Sequence, residues 1–131
     1  MSAREIELDH QIRHWPRSAK TDPYQQGLES IEKKLAPLLT EKKLVLAYNE
    51  FCFPSLQEVV HQLIKENFKT IQILTTMFTP GGSHAEIEIP EIVHELSQQY
   101  PNVKIKYLWP YPMQDVAELL ALRIKQEEKN V

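Results

Sequence analysis

Apolar positions recur along this chain at two different spacings, and the spacing names the elements. Leu44-Val45-Leu46-Ala47-Tyr48 is a continuous apolar run too short for a helix, which predicts a buried strand. Pro54-Ser55 then opens a helix, because Leu56, Val59, Val60, Leu63 and Ile64 recur at the spacing that puts them on one helical face. Asn67 is its natural stop. Residues 70–76, rich in β-branched side chains, predict a second strand. After Gly81-Gly82, the residues Ile89, Ile92, Val93 and Leu96 mark another amphipathic helix, with Pro90 near its first turn where a missing N–H costs least. Residues 103–109 predict a third strand. In it Lys104 and Lys106 alternate with apolar residues, as on an edge blunted by charge. Pro110 and Pro112 end it, and Val116, Leu119, Leu120, Arg123 and Ile124 mark a last helix. Before all of these lies a helix over about residues 25–39, with Leu28, Ile31, Leu35 and Leu38 on its apolar face.

Strand and helix thus alternate three times, which predicts an α/β fold with a parallel sheet and right-handed crossovers. Residues 1–24 stand apart as an atypical N-terminal segment of one domain covering 1–131. There Ile6, Leu8 and Ile12 alternate with Glu7, Asp9 and Arg13, a pattern that permits at most a half-exposed strand. Arg13-His14-Trp15-Pro16-Arg17 is dense in cations and aromatics.

Composition narrows the function classes. With 131 residues, one domain can bury about 65–70% of its unfolded surface, enough for a core. Lys+Arg number 15 against 18 Asp+Glu, a net charge of −3, which argues against a general nucleic-acid binder. The single cysteine, Cys52, excludes an internal disulfide and a cysteine-based zinc finger. No apolar run reaches the length of a membrane span, and residues 1–7 carry no secretory h-region. The expectation is a soluble protein of a reducing compartment, the cytoplasm, with no nucleic-acid or membrane partner.

Ligands of open parallel sheets bind outside the carboxyl ends of the strands. That singles out the segments 49–54, 77–84 and 109–112, which together hold an acid, a histidine, two glycines and several aromatics, suited to a flat and partly apolar ligand. His84 follows Gly81-Gly82-Ser83, and Glu88 lies four residues on. If the helix has begun there, both project on one face, as two ligands or as a base and its orienter; the plainer reading is a residue at the helix N-terminus making a local hydrogen bond. Gly81, Gly82 and Ser83 could cradle an anion with backbone N–H groups, although the P-loop lysine is missing. Glu50, flanked by Phe51 and Phe53, is either a proton acceptor of raised pKa or a carboxylate capping the following helix. Cys52 reads as an inert thiol, and His61 and His94 as surface residues off the apolar faces of their helices.

Two of these segments carry a resemblance. Ala47-Tyr48-Asn49-Glu50-Phe51-Cys52-Phe53-Pro54-Ser55-Leu56 is similar to an acid-then-Pro-Ser segment, and Phe78-Thr79-Pro80-Gly81-Gly82-Ser83-His84 followed by Glu88-Ile89-Pro90 is similar to a metal-site histidine with its acidic-Ile-Pro triplet. Both resemble the sirohydrochlorin cobaltochelatase family, the short class II chelatases of cobalamin and related tetrapyrrole synthesis, over residues 44–125. The resemblance implies a chelatase-like, flavodoxin-like architecture: a three-layer fold, a parallel sheet with helices on both faces. It implies insertion of a divalent metal (Co2+, alternatively Ni2+ or Fe2+) into sirohydrochlorin or a related tetrapyrrole, with no organic cofactor, by a homodimer. It makes His84 the metal-handling histidine, and Glu50 and Glu88 the acids that move metal or accept pyrrole protons; Phe78, Gly81, Gly82 and Ser83 line the ligand. The family's first strand ends in a His-Gly pair. This sequence has none, and His14 is the nearest candidate for the second histidine, with Arg13 and Arg17 placed to bind substrate carboxylates. A chain that kept the pocket without turnover would instead be a metal or tetrapyrrole carrier, sensor or accessory subunit. An anion- or nucleotide-binding α/β protein using Gly81-Gly82-Ser83, sharing only the fold, is the remaining alternative.

Overall fold

The computed structural model describes residues 2–13, 23–48 and 53–129. Residues 14–22 and 49–52 lie outside them, so His14, Arg17, Glu50 and Cys52 have no structural account. The chain forms two units, Met1–Glu66 and Asn67–Val131.

In the first unit, helix α1 spans Ala3–Arg13, where the alternation of Ile6 and Leu8 had predicted at most a strand. The cause is local. Ser2 starts the helix by accepting the Glu5 N–H at 3.2 Å, and its hydroxyl donates to the Glu5 carboxylate at 3.1 Å. Ile6 and Leu8 remain exposed, so no buried face selects the two-residue period. Helix α2, Pro23–Leu35, passes into a 3-10 turn at Ala36–Leu38. Pro37 explains the change, since it lacks an N–H and disfavours the α conformation at the residue before it.

The apolar run 44–48 differs from expectation. Among the described residues, 44–47 join no ladder, and Tyr48 makes only an isolated parallel bridge to Ser55, its N–H donating to the Pro54 carbonyl at 2.9 Å. A strand is defined by its partner, and an apolar sequence alone does not supply one. Helix α3, Leu56–Lys65, follows the predicted boundaries closely. Ser55 caps it with a complete capping box to Glu58, and Val60 and Leu63 are buried. Asn67 then takes a φ of 70°, the left-handed conformation with which helices often end. An open apolar groove of about 560 Å³ in this unit is lined by Val45, Leu46, Phe53, Val59 and Leu63, with Lys43 and Glu66 ion-paired at its rim.

The second unit carries the sheet. Strands β1 (Thr70–Ile73) and β2 (Lys104–Tyr107) pair in parallel, with Ile71 opposite Ile105 and Ile73 opposite Tyr107. Burial alternates along both: Ile71 and Ile73 are buried, Ile105 and Tyr107 half-buried, and Gln72, Lys104 and Lys106 exposed. One sheet face is therefore covered, and helix α4, Ile89–Gln99, packs against β2. Ile89 and Leu96 are its buried anchors. Helix α5, Met113–Lys129, buries none of its residues; Leu119, Leu120 and Ile124 of its predicted apolar face are exposed. No helix among the described residues is long and apolar enough to cross a membrane. The observed architecture is α/β, helices with a small parallel sheet.

Candidate functional site

Because β1 and β2 are parallel, the chain leaves both at the same sheet edge. Residues 74–83 follow β1 and residues 108–112 follow β2, and aromatic side chains tie the two loops together. The Tyr111 hydroxyl donates to the Thr75 carbonyl and accepts the Thr75 N–H at 3.0 Å. The Trp109 indole N–H donates to the Met77 carbonyl at 2.9 Å. Phe78, exposed, sets its ring 5.7 Å from that of Tyr111, tilted by 44°. Tyr107 and Trp109 stack, with centroids 6.1 Å apart and planes 10° apart. Burial pushes both phenols up, Tyr107 to about 12 with a smaller contribution from Tyr111, so both hydroxyls keep their protons at neutral pH.

This clasp holds the Gly-Gly turn. Gly81 has a φ of 113°, open to glycine and strained for other residues. Its N–H donates to the Glu86 carboxylate at 2.7 Å. The anion in the glycine turn is thus an internal one, supplied by Glu86, which the sequence had not singled out. Ser83 occupies the position before the helix and makes no capping hydrogen bond through its side chain.

The helix begins at once with a widened, π-helical turn over His84–Glu88, in which the Ile89 N–H returns to the His84 carbonyl. His84 and Glu88 do project on one face of the helix: His84 Nδ1 lies 2.6 Å from a Glu88 carboxylate oxygen, a local hydrogen bond, with side chains 38% and 45% exposed. A carboxylate can only accept, so Nδ1 is the donor of this contact, and in the neutral ring the lone pair is then on Nε2. This is how an outer carboxylate orients a metal-binding histidine. Below the turn, the Tyr107 hydroxyl donates to the Ala85 carbonyl at 3.1 Å.

The remaining predicted residues fall as follows. Arg13 is the last residue of α1, and its side chain, like His14, Arg17 and Glu50, lies outside the described residues. His94 is exposed, as expected, and His61 is half-buried. Among the described residues no three His, Cys, Asp or Glu side chains converge as a metal cage. What converges in the second unit is a histidine–carboxylate pair, a glycine turn and an aromatic wall. Sequence reasoning missed Tyr107 and Glu86, since nothing in their spacing marks them; Pro90, which lacks an N–H, signals only that a carbonyl of the preceding turn must find its donor elsewhere.

Comparison with known proteins gives this arrangement its context. A sirohydrochlorin cobaltochelatase from Priestia megaterium is 25% identical over 83 residues, which are 63% of this chain and 27% of that protein. The chain thus matches about a quarter of the length of that relative. No solved structure matches it. The family model described as CbiX matches residues 18–127, a stretch that includes both segments of the resemblance and the whole of the His84 turn, and by that match the chain belongs to the CbiX family.

Proposed function

We propose that this protein inserts a divalent metal, cobalt first among the candidates and nickel or ferrous iron next, into sirohydrochlorin or a closely related tetrapyrrole of cobalamin-type synthesis. The observation that carries this reading is the His84–Glu88 pair at 2.6 Å, standing where the family resemblance places its metal-handling histidine. Insertion exchanges one M2+ for two pyrrole N–H protons. It needs a neutral donor to pass the ion, a base for the protons, and a surface for the macrocycle. His84, oriented through Nδ1 by Glu88, is the nitrogen donor for the incoming ion. Phe78 and Tyr111 offer an apolar wall, and the Gly81-Gly82-Ser83 turn lets backbone approach a substrate closely. We assign Glu50 the role of proton acceptor, His14 that of second metal-holding histidine, and Arg13 and Arg17 the substrate carboxylates.

The same reading includes a single chelatase-like domain over 1–131 with the three-layer, flavodoxin-like sheet, acting as a cytoplasmic homodimer. The net charge of −3 and the single cysteine support a reducing compartment and no nucleic-acid partner. A second reading is favoured by one observation, the lack of any His-Gly pair in the sequence: the chain keeps the pocket as a non-catalytic metal or tetrapyrrole carrier. Anaerobic incubation with sirohydrochlorin and Co2+, Ni2+ or Fe2+, followed by absorption spectroscopy, decides between them. Turnover supports the enzyme. Stoichiometric binding without metallation supports the carrier. Neither binding nor turnover rejects both.

A further inference from the structure

We propose that Tyr107 is a positioning residue for the metal-handling histidine, holding the widened turn that presents His84 by supplying a hydrogen bond its own backbone lacks. The inference rests on the metal-site reading of His84 and extends it to a residue on a different element.

In an α-helix the Ala85 carbonyl would accept the N–H of Ile89, four residues on. Here that N–H returns five residues, to His84. In the widened register the Ala85 carbonyl would turn to residue 90, which is Pro90 and has no N–H. Both helical donors are therefore withdrawn from one carbonyl, and Ala85 is fully buried, with 0% exposure. A buried carbonyl left without a donor is costly, which would drive the turn back to α geometry. The Tyr107 hydroxyl meets that carbonyl at 3.1 Å. It comes from the last residue of β2, a rigid element paired to β1 through Ile73, and its ring is braced by stacking on Trp109.

The turn so held contains His84 as its first residue and Glu88 as its last. Widened turns of this kind are frequent at functional sites. The raised pKa of Tyr107 agrees with the role, since the phenol remains a donor wherever the site would work. Tyr107 is assigned no contact with metal or macrocycle. It acts through the Ala85 carbonyl on the direction of His84 and Glu88.

Tyr107→Phe removes the hydroxyl and keeps the ring, its stacking and the strand, so the fold is retained. The test titrates wild type, Tyr107→Phe and His84→Ala with Co2+ alone, followed by cobalt absorption, and measures metallation kinetics. Tyr107→Phe is expected to weaken Co2+ binding about tenfold, the low end for loss of an outer positioning group. The cobalt band should change shape, and KM for sirohydrochlorin should stay within about twofold, since the macrocycle wall is untouched. In a Pro90→Ala background, where residue 90 regains its N–H and the Ala85 carbonyl has a backbone donor in either register, the same substitution should cost less than about threefold, a coupling that a pair of independent sites would not show. Wild-type Co2+ affinity and band shape in Tyr107→Phe, with binding lost in His84→Ala, overturns the inference and leaves the metal-site reading standing. Equal losses from Tyr107→Phe in both backgrounds also overturns it. Unchanged Co2+ affinity in His84→Ala removes the metal-site reading and the inference together.

Discussion

Replacing Glu88 by Gln separates what the His84–Glu88 contact does for the fold from what it does for function. The side chains are 38% and 45% exposed, and they sit four residues apart on one helix. A side-chain contact so exposed, between residues four apart on a helix, contributes about 0.3–0.5 kcal/mol. For a chain of this size that corresponds to roughly 1–3 °C in unfolding midpoint. The functional loss should be far larger. Glutamine keeps the length of glutamate but offers both an acceptor oxygen and a donor NH2. When the NH2 faces Nδ1, the imidazole proton moves to Nε2 and the lone pair that would meet the metal is gone. Outer-shell carboxylates of this kind carry about 10–100-fold in metal affinity, or roughly 1.4–2.8 kcal/mol, several times the stability change. The assay pairs a Co2+ titration with thermal unfolding on wild type, Glu88→Gln and Glu88→Asp, the last retaining charge at a shorter reach. Glu88→Asp should fall between the other two. A folded Glu88→Gln with wild-type cobalt affinity would refute the orienting role. A loss of more than about 5 °C would show instead that the contact supports the fold.

Other consequences can be checked independently. Ser55→Ala removes the hydroxyl that accepts the Glu58 N–H and should cost about 1 kcal/mol in urea unfolding; an unchanged midpoint would contradict its capping role. Val60 is 1% exposed, so Val60→Ala should cost about 2 kcal/mol, two buried methyl groups and the space they leave; a loss under 0.5 kcal/mol would contradict its burial. The Tyr107 phenol, raised from 10.0 to about 12, binds its proton more tightly folded than unfolded, so its contribution is intact below pH 10 and is lost as pH rises through about 12. Ultraviolet titration of phenolate in wild type against Tyr107→Phe should show the missing group titrating near 12. A value near 10 would contradict its burial. His94→Ala, at an exposed position on α4, should leave both unfolding and Co2+ affinity as in wild type.

Local patterns settled much of this protein. The helical spacing of Leu56, Val60 and Leu63, with the Ser55–Glu58 box before it, determines α3 to within a residue, because cap and apolar face agree. In α4 the apolar face alone, Ile89 and Leu96, marks the buried side. The Lys104/Lys106 alternation already separates the two faces of β2, and the four-residue spacing of His84 and Glu88 already puts ring and carboxylate on one side of a helix that starts early enough. Elsewhere a local pattern pointed the wrong way. Ile6 and Leu8 alternate like a strand but lie exposed on α1, where a cap at Ser2 outweighs a period that nothing buries. The run 44–48 is as apolar as any strand, yet pairing is a property of two segments, and among the described residues only Tyr48 finds a bridge. The site shows the same division. Sequence supplied its histidine, its carboxylate and its glycines, all within eight residues. Only the tertiary structure brought Tyr107, Trp109 and Tyr111 from beyond α4 to close the carbonyls and N–H groups of residues 75, 77 and 85. Backbone groups left open by a turn must be satisfied by whatever the fold carries to them, and no spacing along one segment records where that donor comes from.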